Sequence, residues 1–329
     1  MINNEEALLN KRQEGWARLH ELSQKAEGSF RHLSGDEVVE YVRLYRQASA
    51  DLAYLMTHSS NADVVHYLNA LVGRSYAQLY RTPRKGILAN LWESLATVCQ
   101  TIRRRRKPIY LASAIFFFAM FFTWGYMTVD PNAGRFFIPA GFESAFEHWK
   151  SGVHPERTDE EGALASVGYA THNPSVAIMA TSMSLATFGY FAVYSMWQNG
   201  AMVGALAAEV APTGNLAFMF CSIAPHGISE IGGFIIAAAA GLVMGGAMLA
   251  PGRRSRSEAL RVAGKDAMVM FVIAIIMIFL AAPIEGYFSF NPNVPLALKA
   301  VVAALAFAAW MALFMGFGKS EEELVQPAK

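Results

Sequence analysis

Residues 199–246 read NGAMVGALAAEVAPTGNLAFMFCSIAPHGISEIGGFIIAAAAGLVMGG, a stretch apolar enough to cross a membrane yet carrying Glu209, His226 and Glu230. At its centre stands Pro225-His226-Gly227-Ile228-Ser229-Glu230. Residues four apart share a helix face, so His226 and Glu230 are neighbours, and the same face continues through Gly233, Ala237, Gly241 and Gly245. Small residues at that spacing let a second helix approach closely, and lipid offers a carboxylate no partner, so this face is expected to pack against protein. Glycine and alanine are abundant here, so composition alone can also produce such a ladder. The polar pair has two readings: a structural lock near a helix start at Pro225, or a proton, ion or substrate site inside the membrane.

Working outward, the chain has 329 residues, 54% of them hydrophobic, and several apolar runs of about 18 residues or more, the length a membrane span needs. The fold class expected is all-α: a polytopic membrane protein with about six transmembrane helices and an N-terminal cytoplasmic helical module. A net charge of +1 says little about partners. Cys99 and Cys221 are too few and too separate for a disulfide framework or a cysteine metal site. The first 35 residues lack an apolar signal core, so the first span is expected to act as an uncleaved anchor.

Residues 1–85 form the soluble module. One helix begins at Ser34, which has capping-box spacing to Glu37, and lines up Val38, Val42, Tyr45, Ser49, Leu52 and Met56. A second lines up Val65, Leu68, Val72, Tyr76 and Leu79. Arg46, Asp51 and Arg74 are candidates for ion pairs across this bundle or for a solvated face. Residues 86–107 read as an interfacial amphipathic helix, with an apolar stripe through Ile87, Leu88, Leu91, Trp92, Leu95, Val98, Cys99 and Ile102. The alternative is a third helix of the soluble bundle. Five consecutive basic residues follow, Arg103, Arg104, Arg105, Arg106 and Lys107, suited to an anionic leaflet. Because the run abuts a hydrophobic span, the positive-inside rule accounts for it without nucleic acid.

Residues 108–318 form the membrane domain. Its first span, 108–129, leads to an outer segment, 130–173, with seven acidic and three basic side chains. A short helix there is expected to lay Phe142, Phe146 and Trp149 on the outer leaflet, and its scattered histidines lack metal-ligand spacing. The second span is expected at 174–197, with a turn at Asn199-Gly200. Residues 200–224 either cross once, interrupted at Pro212 to Asn215, or re-enter as two half-helices. Charge favours one crossing, because PGRRSRSEALRVAGK after the fourth span carries five basic residues and one acid. Spans at 267–284 and 296–318 complete six, with both termini inside, and Glu285 and Lys299 are expected to snorkel and pair at the outer turn between them. Residues 319–329 are a solvated tail.

Taken together, LYRQASADLAYL, LNALVGRSYAQLYR, HNPSVA, NGAMVGA, PHGISE with the Gly/Ala-rich span behind it, PGRRSRSEAL and EGYF resemble the stage II sporulation protein M family from about residue 36 to residue 315. The resemblance implies a bacterial cytoplasmic (inner) membrane protein. In endospore formers the family member is a membrane scaffold that recruits peptidoglycan hydrolases. Longer relatives, with an N-terminal module such as this one, are often encoded beside MoxR-type ATPases and von Willebrand-type domain proteins.

Three function classes follow. The first is a scaffold that organises envelope, cell-wall or ATPase partners without catalysis of its own. Its partners would be membrane lipid and, by resemblance, a cell-wall hydrolase or a MoxR-type ATPase system. Gly200, Gly204, Gly233, Gly241 and Gly245 would serve helix packing or homo-oligomerisation. The alternative is a transporter, channel or lipid-moving protein using Asn199, Glu209, Asn215, His226 and Glu230. An intramembrane metalloenzyme is the third: His226 and Glu230 lack HExxH spacing, and a third donor would have to come from Glu209, Asp266 or Glu285, which the expected topology keeps apart. No catalytic residue, metal or cofactor is therefore assigned from sequence, and no nucleic-acid partner is expected.

Overall fold

The computed structural model describes residues 2–27, 29–59, 61–80, 87–138 and 143–318. Phe142 and the tail from residue 319 lie outside the described residues. Every regular element among the described residues is helical, and the chain divides into two compact units, Met1–Gly86 and Ile87–Lys329.

The first unit is a three-helix bundle of α1 (Ile2–Lys25), α2 (Gly35–His58) and α3 (Ala62–Leu79). α2 starts on Ser34 with both halves of the capping box made: Glu37 N–H donates to Ser34 Oγ at 3.2 Å, and Ser34 N–H to Glu37 Oε2 at 2.8 Å. The buried stripe of α2 runs through Tyr41, Leu44, Ala48, Leu52 and Leu55, while Met56 is exposed. That is a rotation from the Val38 to Met56 stripe expected from sequence. Its cause is α1, whose polar composition hides an apolar face of Trp16, Leu19 and Leu22 that covers α2 from the other side. Gln78 knots the three helices, accepting from Ser23 Oγ at 2.9 Å and Tyr41 OH at 2.6 Å and donating to the Ser23 carbonyl at 2.9 Å.

The second unit holds α4 (Ile87–Arg104), α5 (Arg106–Val129), α6 (Gly134–Phe137), α7 (Glu143–Ser151), α8 (Asp159–Ala186), α9 (Tyr190–Val210), α10 (Leu216–Leu249), α11 (Arg256–Ile284) and α12 (Leu296–Gly316). Four stretches are long and apolar enough to cross a membrane: α5, α10, α12, and α11 continued by a π-turn to Ser289. Six were expected. α8 and α9 have helical length, but polar residues such as His172 and Asn173 in the one and Gln198, Asn199 and Glu209 in the other dilute their hydropathy.

The joints also differ from the sequence reading. Asn199-Gly200 is no turn: both lie inside α9, where Asn199 Nδ2 donates to the Ser195 carbonyl at 2.8 Å. The chain turns instead at Thr187 to Gly189, with Phe188 at φ 55° and Gly189 at φ 93°. Residues 200–224 are not one continuous helix: Ala211 to Asn215 form a turn between α9 and α10, and the two segments it joins belong to helices of 21 and 34 residues rather than to half-helices. Pro225 does not start a helix but lies inside the 34-residue α10.

α10 is the axis of this unit and packs against α5, α8, α9, α11 and α12. Its Gly/Ala run supplies Ala237, Ala238, Ala239 and Ala240, all fully buried. A Cβ on Gly241 would stand 2.8 Å from Ser184, where α8 crosses, and one on Gly245 would collide with the backbone of Phe188 and Gly189 in the turn that follows α8. Gly233 faces Ile278 and the Ala274 carbonyl of α11. Gly200 and Gly204 let the backbone of α9 approach the Phe116 and Met120 carbonyls of α5, a distance any side chain would prevent.

Candidate functional site

The polar interior is built where α8, α10 and α11 meet. His226 and Glu230 lie one turn apart on α10, as helical periodicity requires, and Glu285 comes to them from the C-terminal end of α11. One ligand-type atom from each of the three lies within 4.8 Å of the others. His226 Nε2 stands 4.0 Å from Glu285 Oε1, and His226 Nδ1 pairs with Ser289 Oγ at 2.8 Å. Asn173 Nδ2 donates to Glu285 Oε2 at 3.5 Å from the Pro174 region of α8. Glu230 Oε2 is buried without a hydrogen-bond partner among the described residues. Next to the cluster, Trp310 Nε1 of α12 donates to Ser229 Oγ at 2.9 Å, and Phe290 meets the His226 ring edge to face at 5.3 Å.

The backbone explains how Glu285 and Ser289 both reach His226. Residues Glu285–Ser289 form a π-turn, whose i→i+5 bonds put more residues in each turn and bring positions four apart closer to one line. Such turns recur at functional sites. Glu285 therefore faces inward, with 8% of its surface exposed, instead of snorkelling outward. Lys299 is 1% exposed, and no ion pair joins it to Glu285 among the described residues. Beside the π-turn lies a cavity of about 120 Å³ lined by Glu156, Arg157, Asp159, Gly286, Tyr287 and Phe290 among others. Arg157 lies over the Phe290 ring, 5.5 Å from its centroid.

The other residues singled out from sequence go elsewhere. Glu209 pairs with Lys150 Nζ at 2.8 Å, which holds that ammonium above its usual pKa, and Asn215 Nδ2 donates to the Lys150 carbonyl at 2.7 Å. Together they pin α7 over the α9–α10 turn. Phe146 is buried there against Leu206, Val210 and Met219, with Trp149 beside it, so neither is spread on a leaflet as expected. His154 sits in a cage of Trp149, Phe218 and Phe290 and is 6% exposed. Burial, with the Lys299, Arg157 and His148 charges, pushes its pKa down to about 4.

Of the basic run, Arg103 donates to the Phe314 and Phe317 carbonyls at 2.8 Å each, capping the C-terminal end of α12. Arg104 and Arg105 both pair with Asp266 of α11, at 2.5 and 2.8 Å. Three of the five cations expected at the membrane surface thus tie helices together, and Asp266 is spent there, away from His226. Lys107 lines a cleft shared with Arg105 and Arg254. The stripe of α4 splits in the same way: Cys99 and Ile102 are buried, whereas Ile87, Leu88, Leu91 and Trp92 are exposed.

Sequence reading thus supplies His226 and Glu230, names Glu285 only as a third donor that the expected topology keeps apart, a separation the structure overturns, and misses Asn173 and Ser289. Signals existed in Pro283 just before Glu285 and in the HNPSVA stretch, but they carry no partner information. A family model described as Stage II sporulation protein M matches residues 114–290, more than half of the chain and the whole of the cluster. A second, described as a domain of unknown function (DUF8413), matches residues 6–81. No curated protein and no solved structure matches the chain.

Proposed function

The chain belongs to the stage II sporulation protein M family, and from that premise we propose that its membrane unit is an ion-handling device that binds a cation between His226, Glu230 and Glu285 and exchanges it with one face of the membrane. One observation carries the reading: two carboxyl groups from different helices face each other with an imidazole inside an otherwise apolar bundle. A folded protein keeps such an arrangement at a cost in stability, and intramembrane ionisable residues of this kind mark ion or substrate pathways. The cavity beside Gly286 supplies a route. Arg105, Lys107 and Arg254 gather at the opposite end of the bundle. By the positive-inside rule that end, and both termini, face the cytoplasm of a bacterial inner membrane, so the cavity opens outward.

The test is flux. Vesicles containing the reconstituted protein are expected to pass a cation, and Glu285→Gln to slow that flux at least tenfold while the protein remains folded. Unchanged flux in a folded Glu285→Gln protein sinks the reading.

A second reading, scaffolding, is favoured by the first unit. It has a core of its own and exposes Val39, Met56, Tyr67, Tyr76 and Tyr80, apolar and aromatic side chains that a partner would cover. Partners there would be a cell-wall hydrolase or a MoxR-type ATPase, by family resemblance. Affinity recovery of such a partner from membranes, abolished when Tyr76 and Tyr80 are changed to Ser, would support it; recovery unaffected by those changes would count against it.

A further inference from the structure

We infer that the cation held by His226, Glu230 and Glu285 is a divalent transition-type metal ion, of the zinc or manganese class, bound by one imidazole nitrogen and two carboxylate oxygens with a remaining position open. This rests on the cation-binding reading above and names its ion class.

Charge comes first. Two carboxylates and a neutral imidazole carry a charge of −2, which a divalent ion cancels and a monovalent ion leaves half unbalanced in a medium that penalises net charge. Donor chemistry comes second. Calcium and magnesium take oxygen ligands, whereas an imidazole nitrogen beside carboxylates suits zinc and the neighbouring transition ions. Three protein ligands with an open position is the pattern of a reactive or exchangeable zinc site rather than a closed structural one.

The geometry needs little adjustment. Ligand atoms about 2.1 Å from one tetrahedral ion stand about 3.4 Å apart. His226 Nε2 and Glu285 Oε1 stand 4.0 Å apart in a set no wider than 4.8 Å, so the three ligand atoms would have to close on the ion from separations only slightly wider than that. The supporting contacts are those a metal site uses. In the tautomer in which His226 Nδ1–H donates to Ser289 Oγ, the Nε2 lone pair is left for the ion, and Asn173 holds the far oxygen of Glu285. Glu230 Oε2, buried and unpartnered, is the atom with most to gain from an ion. The π-turn that brings Glu285 and Ser289 to one histidine is then a device for assembling ligand and support from the same five residues.

The experiment is equilibrium metal binding to the full chain in lipid nanodiscs, stripped with chelator and then offered Zn²⁺, Mn²⁺, Co²⁺, Ca²⁺ or Na⁺ separately. About one Zn²⁺ or Mn²⁺ per chain is expected, with Co²⁺ giving the visible absorption of a low-coordinate nitrogen and oxygen site. His226→Gln and Glu285→Gln should each weaken binding at least a hundredfold, and Ser289→Ala about tenfold, the usual effect of losing a supporting hydrogen bond. Glu209→Gln, outside the cluster, should bind as the unaltered protein does. The Co²⁺ spectrum requires no variant, so a misfolded mutant cannot shield the proposal. Less than a tenth of a divalent ion per unaltered chain, or full binding by both His226→Gln and Glu285→Gln, overturns it. If Na⁺ alone binds and moves, the divalent assignment falls and the cation reading stands; if no cation binds or moves, both fall.

Discussion

Asp51 in the first unit and the Glu230–Glu285 pair in the second are acids set inside their units, Asp51 and Glu285 buried and Glu230 half-buried, and they are treated in opposite ways. Asp51, 6% exposed, receives Trp16 Nε1–H at 3.0 Å and sits 3.5 Å from Arg12 Nε. Its charge is matched inside the bundle, so it serves as a structural tie. Glu230 and Glu285 face each other, with one oxygen orphaned among the described residues and, between them, a histidine whose one nitrogen meets a serine and whose other stands 4.0 Å from Glu285. Burial alone therefore does not mark a functional acid. What separates the two is whether the protein itself completes the electrostatics.

The comparison is sharpest in stability. Asp51→Ala should strip Trp16 and Arg12 of their acceptor and cost about 3 kcal/mol, the range for removing a hydrogen bond to a charged group or one partner of a buried pair, read as faster amide exchange across residues 9–79 of the intact chain. Glu285→Gln in chelator should show no such loss. With Zn²⁺ at about a hundred times its dissociation constant the unaltered protein should gain about 2.7 kcal/mol, a gain missing in Glu285→Gln. A destabilised, metal-indifferent Glu285→Gln would make the pair a lock like Asp51 and end the contrast.

Two smaller tests probe the frames holding these acids. Gly204→Ala would drive a Cβ into the Met120 carbonyl, forcing α5 from α9 at a cost of about 2 kcal/mol, visible as a lower unfolding temperature. Ser34→Ala removes the α2 cap and should cost about 1 kcal/mol, confined to the first unit.

A last test is by pH. His154 is held neutral down to about pH 4, whereas in the unfolded chain it takes up a proton near 6.5. The unfolded state thus binds more protons between those values. Stability is full above pH 6.5 and falls as pH drops toward 4. His154→Phe should flatten that part of the stability profile, and an unchanged slope would show that the aromatic cage does not govern it.

Much of the frame was legible in the amino-acid sequence because the signals are local. The Ser34 and Glu37 spacing shows in the observed cap, and His226 and Glu230 share a face because they lie on one helix. The face of α2 was misplaced because its own apolar residues permit two neighbouring stripes, and only α1 decides between them. The turn at Asn199-Gly200 was misplaced for a related reason: glycine marks either a bend or a close approach, and here α5 makes it the second.

By itself, then, the sequence determined a helical membrane protein of this family, a separate N-terminal helical unit, and a His226–Glu230 pair on one face of a Gly/Ala-rich helix, since composition and a 3.6-residue period are properties of short stretches. Only the tertiary structure decided what that pair meets. Glu285 and Ser289 reach it from a π-turn, Ser289 across 63 positions, and Asn173 joins Glu285 across 112, distances over which no local pattern carries information. It also decided that Arg104 and Arg105 consume Asp266 at the far end, away from Glu230 and Glu285. The meeting of two carboxyl groups and an imidazole at the centre is a property of how the helices were brought together, because pairing depends on which side chains finally lie within a few ångströms and not on their order along the chain.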